Sequence, residues 1–301
     1  MAARVLNVVL LLAASAQAYL PVFMMHGIGS GASEMDTIKS MAEAAHPGTV
    51  LVSLPLYEGL PDGLTHLEEQ VESVAGAIRG AIAANTSLYA DGYHVVCKSQ
   101  GALICRAALM YMDDHEAKTF VSLAGPQAGV YGPDFFESFE HDIPLLENLT
   151  AEEVYHVAYT WAGQELSVAN MWRDPAHLDD CGLLDHCYEK GNEFLPKYTD
   201  AATADMKAYF LRLEKAVFCV GSGPAYDGGI EPWQSAVFGA ADADGTMQPM
   251  ENQAWYASDQ FGLKTLVETG RLNLTVVPGA SHGSWTGDHD MIAAYVLPHL
   301  T

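Results

Sequence analysis

Residues 95–107, VVCKSQGALICRA, set Ser99 between an apolar run suited to a strand and an apolar run suited to a helix, with almost no chain between them. A serine hydroxyl serves as a nucleophile on a parallel sheet when a sharp strand-to-helix turn holds its Oγ out of the core. The tightness of that turn demands small residues two before and two after it. Here these are Cys97 and Gly101, which gives CxSxG in place of GxSxG. An ordinary helix N-cap would also put a serine here, but the strand before and the helix after supply the context the nucleophile turn needs. Such a serine requires an imidazole to take its proton and a carboxylate to orient the imidazole, in the chain order Ser, Asp, His. Asp227, in GPAYDGGIEPWQ, follows the apolar run AVFCVGS and is the expected acid; Asp242 and Asp244 lie further off and suit turn-forming aspartates. His282, in VVPGASHGSW, follows the last strand-like run on a glycine-flanked loop and is the expected base, whereas His289 reads as a helix-surface residue. The oxyanion formed on attack needs two backbone N–H donors. Gln100, at a helix N-terminus, and Ile28, in HGIGSG, are the expected pair. HGIGSG has neither Walker spacing nor the full dinucleotide fingerprint, and DADGTM lacks calcium-loop spacing. No cofactor and no metal are therefore expected.

These residues need a scaffold that brings three distant segments together. YLPVFMMHG is a short apolar run ending in glycine, the pattern of a strand buried on both faces. Residues 49–56, 93–97, 118–125, 216–222 and 272–277 read as further strands. Thr65-His66-Leu67-Glu68 has capping-box spacing, and Leu64, Leu67, Val71, Val74, Ile78 and Ile82 recur at helical intervals. Further helices are expected over 100–112, about 252–269 and about 288–300. Strand, helix, strand at this spacing predicts a parallel sheet with right-handed crossovers. The rhythm fails between about 126 and 209, which reads as an inserted cap, and Phe135, Phe136, Phe139, Trp161, Met171 and Trp172 are its candidates for an apolar groove.

The first residues read as an address. Arg4 precedes an apolar run from Val5 to Ala14, and Ala16-Gln17-Ala18 fits a cleavage site, so residues 1–18 are expected to be a signal peptide. Sequons at Asn85, Asn148 and Asn273 agree with that compartment. A net charge of −24 argues against nucleic acid, whose phosphates need a basic footprint, and no later segment is long and apolar enough to span a membrane. Among the five cysteines, Cys181 and Cys187 stand close enough to close a small loop; Cys97 and Cys105 fit either a bridge across the serine turn or two buried thiols; Cys219 reads as a core thiol.

At this point the chain resembles the palmitoyl-protein thioesterase family, and within it the lysosomal branch. The resemblance runs through most of the mature chain and rests on PVFMMHGIGSG, VVCKSQGALICRA, FVSLAGPQAGVYG, GQELSVANMWRDP, DGGIEPWQSAVFG, FGLKTL and GASHGSW. It implies an α/β-hydrolase fold and thioester hydrolysis. It also implies catalytic Ser99, Asp227 and His282, oxyanion donors Ile28 and Gln100, and a bridge from Cys97 to Cys105. Lys98, where the family usually has an uncharged residue, and Ala102, where a second glycine is common, depart from the pattern, and residues from Cys181 to Asp205 find no match. The expected substrate is a fatty acyl thioester, either acyl-CoA or an S-acylated peptide or protein, in the lysosome or outside the cell. A lipase or carboxylesterase is the alternative within the fold. A binding protein without chemistry would show a broken triad, and no member is missing.

Overall fold

Short apolar runs assemble into a six-stranded sheet in the computed structural model, which describes residues 19–139, 142–143, 149–179, 181, 186–223 and 227–301. The strands are β1 (Val22–Met25), β2 (Leu51–Ser53), β3 (Tyr93–Lys98), β4 (Ala117–Leu123), β5 (Lys215–Ser222) and β6 (Leu272–Pro278). Their order is β2-β1-β3-β4-β5-β6, and every pairing is parallel. β1 and β3 are buried at every position, as expected of strands covered on both faces. β6 closes one edge and is half exposed.

The flanking helices are α1 (Asp36–Ala45), α2 (Leu67–Ala84), α3 (Gln100–Tyr111), α4 (Ala204–Phe210), α5 (Leu263–Glu268) and α6 (His289–Tyr295). α2 and α4 pack on α3, while α1 packs on α6. Right-handed crossovers place these two groups on opposite faces. α2 buries Leu67, Val71, Val74 and Ile78 along one stripe, each side chain contributing about 1.5–3 kcal/mol through apolar area removed from water.

Three local expectations change. α2 is capped by His66, whose ring nitrogen accepts from the Glu68 N–H at 3.1 Å, and not by Thr65. The expected helix over 252–269 is two short helices, Ala254–Ala257 and α5, separated where Asp259 and Gly262 adopt positive φ. The last helix stops at Tyr295, because Pro298 cannot continue the backbone ladder.

β1 leads to the edge strand β2, and the chain then returns past β1 to form β3. The carboxyl ends of β1 and β3 therefore flank the switch point at which open α/β sheets bind ligands. Between β4 and β5 the chain forms short helices, among them Pro133–Glu137, Tyr155–Ala158, Trp161–Gln164, Ser167–Met171 and Leu195–Tyr198. Arg106, fully buried on α3, fastens this segment to the sheet layer. Its Nη1 donates to Tyr198 O at 2.7 Å and its Nε to Gln127 Oε1 at 2.6 Å.

Candidate active site

Ser99 occupies the turn from β3 into α3 with φ 55°, a left-handed conformation that strains a residue with a Cβ. Such strain costs on the order of 1–3 kcal/mol and persists only where the surroundings enforce it. The Ser99 N–H donates to Leu123 O at 2.8 Å, and the side chain makes no cap hydrogen bond to the helix it precedes. That separates it from a conventional N-cap, whose hydroxyl is spent on the backbone. Gly101 is required by contact: a Cβ there would lie 2.1 Å from His26 O. Cys97, at the other small position, is bonded to Cys105 in the second turn of α3, so the bridge spans the serine.

Asp227 and His282 come together from loops after β5 and β6. Asp227 is buried. Its Oδ1 accepts from the N–H groups of Gly229 at 2.9 Å and Ile230 at 2.7 Å, which leaves Oδ2 for His282 Nδ1 at 3.0 Å. The His282 N–H also donates to the Asp227 carbonyl. With Nδ1 protonated toward the carboxylate, Nε2 presents a lone pair, the tautomer a general base needs. Gly229 makes room for this ring, since a Cβ there would lie 2.4 Å from His282 Cγ.

Ser99, His282, Ile28 and Gln100 line one cavity of about 200 Å³. Gln100 is the first residue of α3, where backbone N–H groups have no partner within the helix. The peptide that carries the Ile28 N–H is oriented from its carbonyl side: His26 Nδ1 lies 2.9 Å from Gly27 O, and Nε2 lies 2.9 Å from Leu56 O. Beside this loop, Lys98 Nζ donates to Glu34 Oε1, and the Gly27 N–H donates to Glu34 Oε2 at 2.9 Å. Burial alone would raise the Glu34 carboxyl, but the Lys98 ammonium and the Gly27 N–H hold it below its ordinary range. Glu34 and Gly229 were not identified by sequence reasoning; the repeated glycine after Asp227 was the available signal for the second.

Phe135 and Phe139 belong both to this cavity and to an adjacent apolar one, whose lining also includes Phe136, Val157, Leu166 and Trp172. Met171 faces the Ser99 cavity. Trp161, expected among the groove residues, is instead 80% exposed. Asp242 and Asp244 accept from the Thr246 N–H in a small hairpin turn, and His289 is exposed at the start of α6. Cys181 and Cys187 are bonded to each other, and Cys219 is a buried free thiol. Asn85 is exposed and Asn273 half-buried, while Asn148 and residues 1–18 lie outside the described residues. Among the described residues no helix is long and apolar enough to cross a membrane, and no cluster of metal-ligating side chains occurs.

A parallel sheet with a strained serine at its switch point and a carboxylate-held imidazole lining the same cavity defines a serine hydrolase of the α/β-hydrolase class. Its solved neighbours include the mature form of a Bacillus licheniformis lipase, with TM-score 0.49, 13% identity and coverage of 95% of this chain and 94% of that one. The chain belongs to the palmitoyl protein thioesterase family, whose model matches residues 21–282. It is 35% identical over 289 residues to the lysosomal thioesterase PPT2 of Bos taurus, covering 94% of this chain and 88% of the relative. It is 33% identical over 288 residues to the Drosophila melanogaster homolog of that protein, covering 94% and 92%.

Proposed function

We propose that the protein hydrolyses fatty acyl thioesters, acyl-CoA or S-acylated peptides and proteins, through an acyl-serine intermediate. Ser99 Oγ attacks the thioester carbonyl as His282 Nε2 takes its proton, while Asp227 holds the imidazole tautomer. The N–H groups of Ile28 and Gln100 receive the oxyanion. Collapse expels the thiolate, which takes the proton from His282, and water then cleaves the acyl-serine by the same route. Thiols have pKa near 8.5, so this leaving group asks little of the general acid.

The observation that carries this reading is a serine in a strained turn whose hydroxyl caps nothing, lining one cavity with an imidazole held by a buried carboxylate. The apolar lining contributed by Phe135, Phe139 and their neighbours beside the Ser99 cavity is the chemistry a fatty acyl chain would meet. We read residues of about 126–209 as the cap over this site and residues 1–18 as a signal peptide. The bridges, the sequons and the lysosomal relatives support a secretory-pathway location, most simply the lysosome, with glycans on Asn85, Asn148 and Asn273.

The test compares hydrolysis of palmitoyl-CoA and a matched palmitoyl oxygen ester by the wild type and Ser99→Ala. Loss of at least about 10³-fold in kcat is expected for the variant, with kcat/KM favouring the thioester. Equal rates for the two proteins would remove the catalytic assignment, and a preference for the oxygen ester would make the enzyme a lipase or carboxylesterase.

A further inference from the structure

We propose that the Glu34–Lys98 ion pair positions the oxyanion site and cancels a charge that would otherwise oppose the reaction. This rests on the serine thioesterase reading and adds to it two residues that position the backbone donors of the oxyanion site. Lys98 immediately precedes Ser99, and Gly27 immediately precedes Ile28. The Glu34 carboxylate takes one hydrogen bond from each side: Lys98 Nζ on Oε1 and the Gly27 N–H on Oε2. It thereby ties the end of β3 to the loop after β1, the two segments that carry the proposed N–H donors.

The tie matters because the segments touch. A Cβ on Gly27 would lie 2.8 Å from the Ser99 Cβ, so the loop runs in contact with the serine turn. A small displacement of either segment changes the separation between the Ile28 and Gln100 N–H groups, and oxyanion stabilisation depends on that geometry. Charge supplies the second argument. Glu34 and Lys98 both line the Ser99 cavity, with side chains 14% and 9% exposed. A carboxylate alone there would raise the energy of the negative charge developing on the substrate oxygen. The ammonium neutralises it, which accounts for a lysine at the position before the serine.

The experiment uses the full chain with Lys98→Met, Glu34→Met and the double variant, in which no unpaired charge is left behind. Three quantities are measured: palmitoyl-CoA kinetics, the affinity for a palmityl trifluoromethyl ketone that forms a tetrahedral adduct, and the affinity for a hexadecyl thioether that cannot react. Positioning predicts a fall of roughly 10- to 100-fold in kcat and in ketone affinity, with KM and thioether affinity unchanged. The double variant is expected within about threefold of Glu34→Met, because the same tie is broken in both, while Lys98→Met, which leaves the Glu34 carboxylate unneutralised, is expected to be the slowest of the three. Circular dichroism and thermal melting of the double variant establish that it is folded. A kcat within twofold of wild type in a folded double variant overturns the proposal, as does an equal loss of ketone and thioether affinity. Full activity in Ser99→Ala, measured alongside, would bring down the underlying reading itself and the proposal with it.

Discussion

Gly229 shows how a residue without functional groups governs the proposed chemistry. Its N–H is one of two that occupy Asp227 Oδ1, and its missing side chain is the space that the His282 ring fills. Gly229 has no positive φ, so alanine is compatible with the backbone and the substitution isolates the steric effect. Gly229→Ala is expected to push the imidazole off its position and to lower kcat/KM roughly 100-fold, the usual consequence of an ångström-scale misplacement. Labelling of Ser99 by a fluorophosphonate should slow in parallel while the melting temperature changes little. Normal labelling kinetics would mean that the ring does not sit against Gly229. The convergence of Ser99, Asp227 and His282 on one site was legible because the proposed hydrolytic chemistry would dictate their types and order, and the sheet dictates that each follow a strand. Glu34 was not legible: it reaches the site through a 3-10 turn, Ala32–Met35, and one acidic residue in a polar loop carries no signature of its partner.

At the scale of elements, the serine turn is held by a strand and a helix that a covalent bond joins. Cys97 is the penultimate residue of β3 and Cys105 lies in α3, eight residues on. Closing so short a loop in the unfolded chain is worth about 2–3 kcal/mol on the chain-entropy account. Cys97→Ala/Cys105→Ala is expected to lose that much in urea unfolding, with kcat reduced because the strained φ of Ser99 loses one restraint. Unchanged stability and unchanged kcat would show that packing alone holds the turn. β1, β3, β5 and α2 were legible because apolar residues recur without interruption in a buried parallel strand and at helical intervals on an amphipathic helix. α1 was missed although Ile38, Met41, Ala42 and Ala45 stand at helical intervals, because the stretch is only ten residues long and two of those four are alanines. The segment between β4 and β5 escaped as well. Apart from α4, its described α-helices run only four or five residues, and they are tied to side-chain partners far away in sequence, such as Asn170 Oδ1 accepting from the Leu67 N–H at 2.8 Å. Such contacts leave no local pattern.

The whole molecule carries 38 acidic residues against 14 lysines and arginines, so at neutral pH its surface repels itself. Lowering the pH relieves that repulsion. Asp200 and Glu231 act in the same direction: burial raises both carboxyls, so the folded state holds their protons more tightly than the unfolded chain and gains stability as pH falls toward their titration. Histidines in the interior oppose this. His94, buried in β3 with no partner for either ring nitrogen among the described residues, is pushed by burial down to about 4. Burial also lowers His115 and His299. Each contributes stability that is complete above the unfolded value near 6.5 and is lost as pH falls through the folded value, about 3 kcal/mol at most for His94. The two trends cross in mild acid. The melting temperature is therefore expected to peak at about pH 6–6.5, fall as pH drops from there toward about 4, and decline more gently toward pH 8. His94→Gln, which cannot take up a proton, should flatten the acid limb without moving the alkaline one. Thermal melts of both proteins from pH 3.5 to 8 decide the matter: a wild-type maximum above pH 7.5, or a variant that tracks the wild type between pH 4 and 6, would show that the buried imidazole does not set the acid limit.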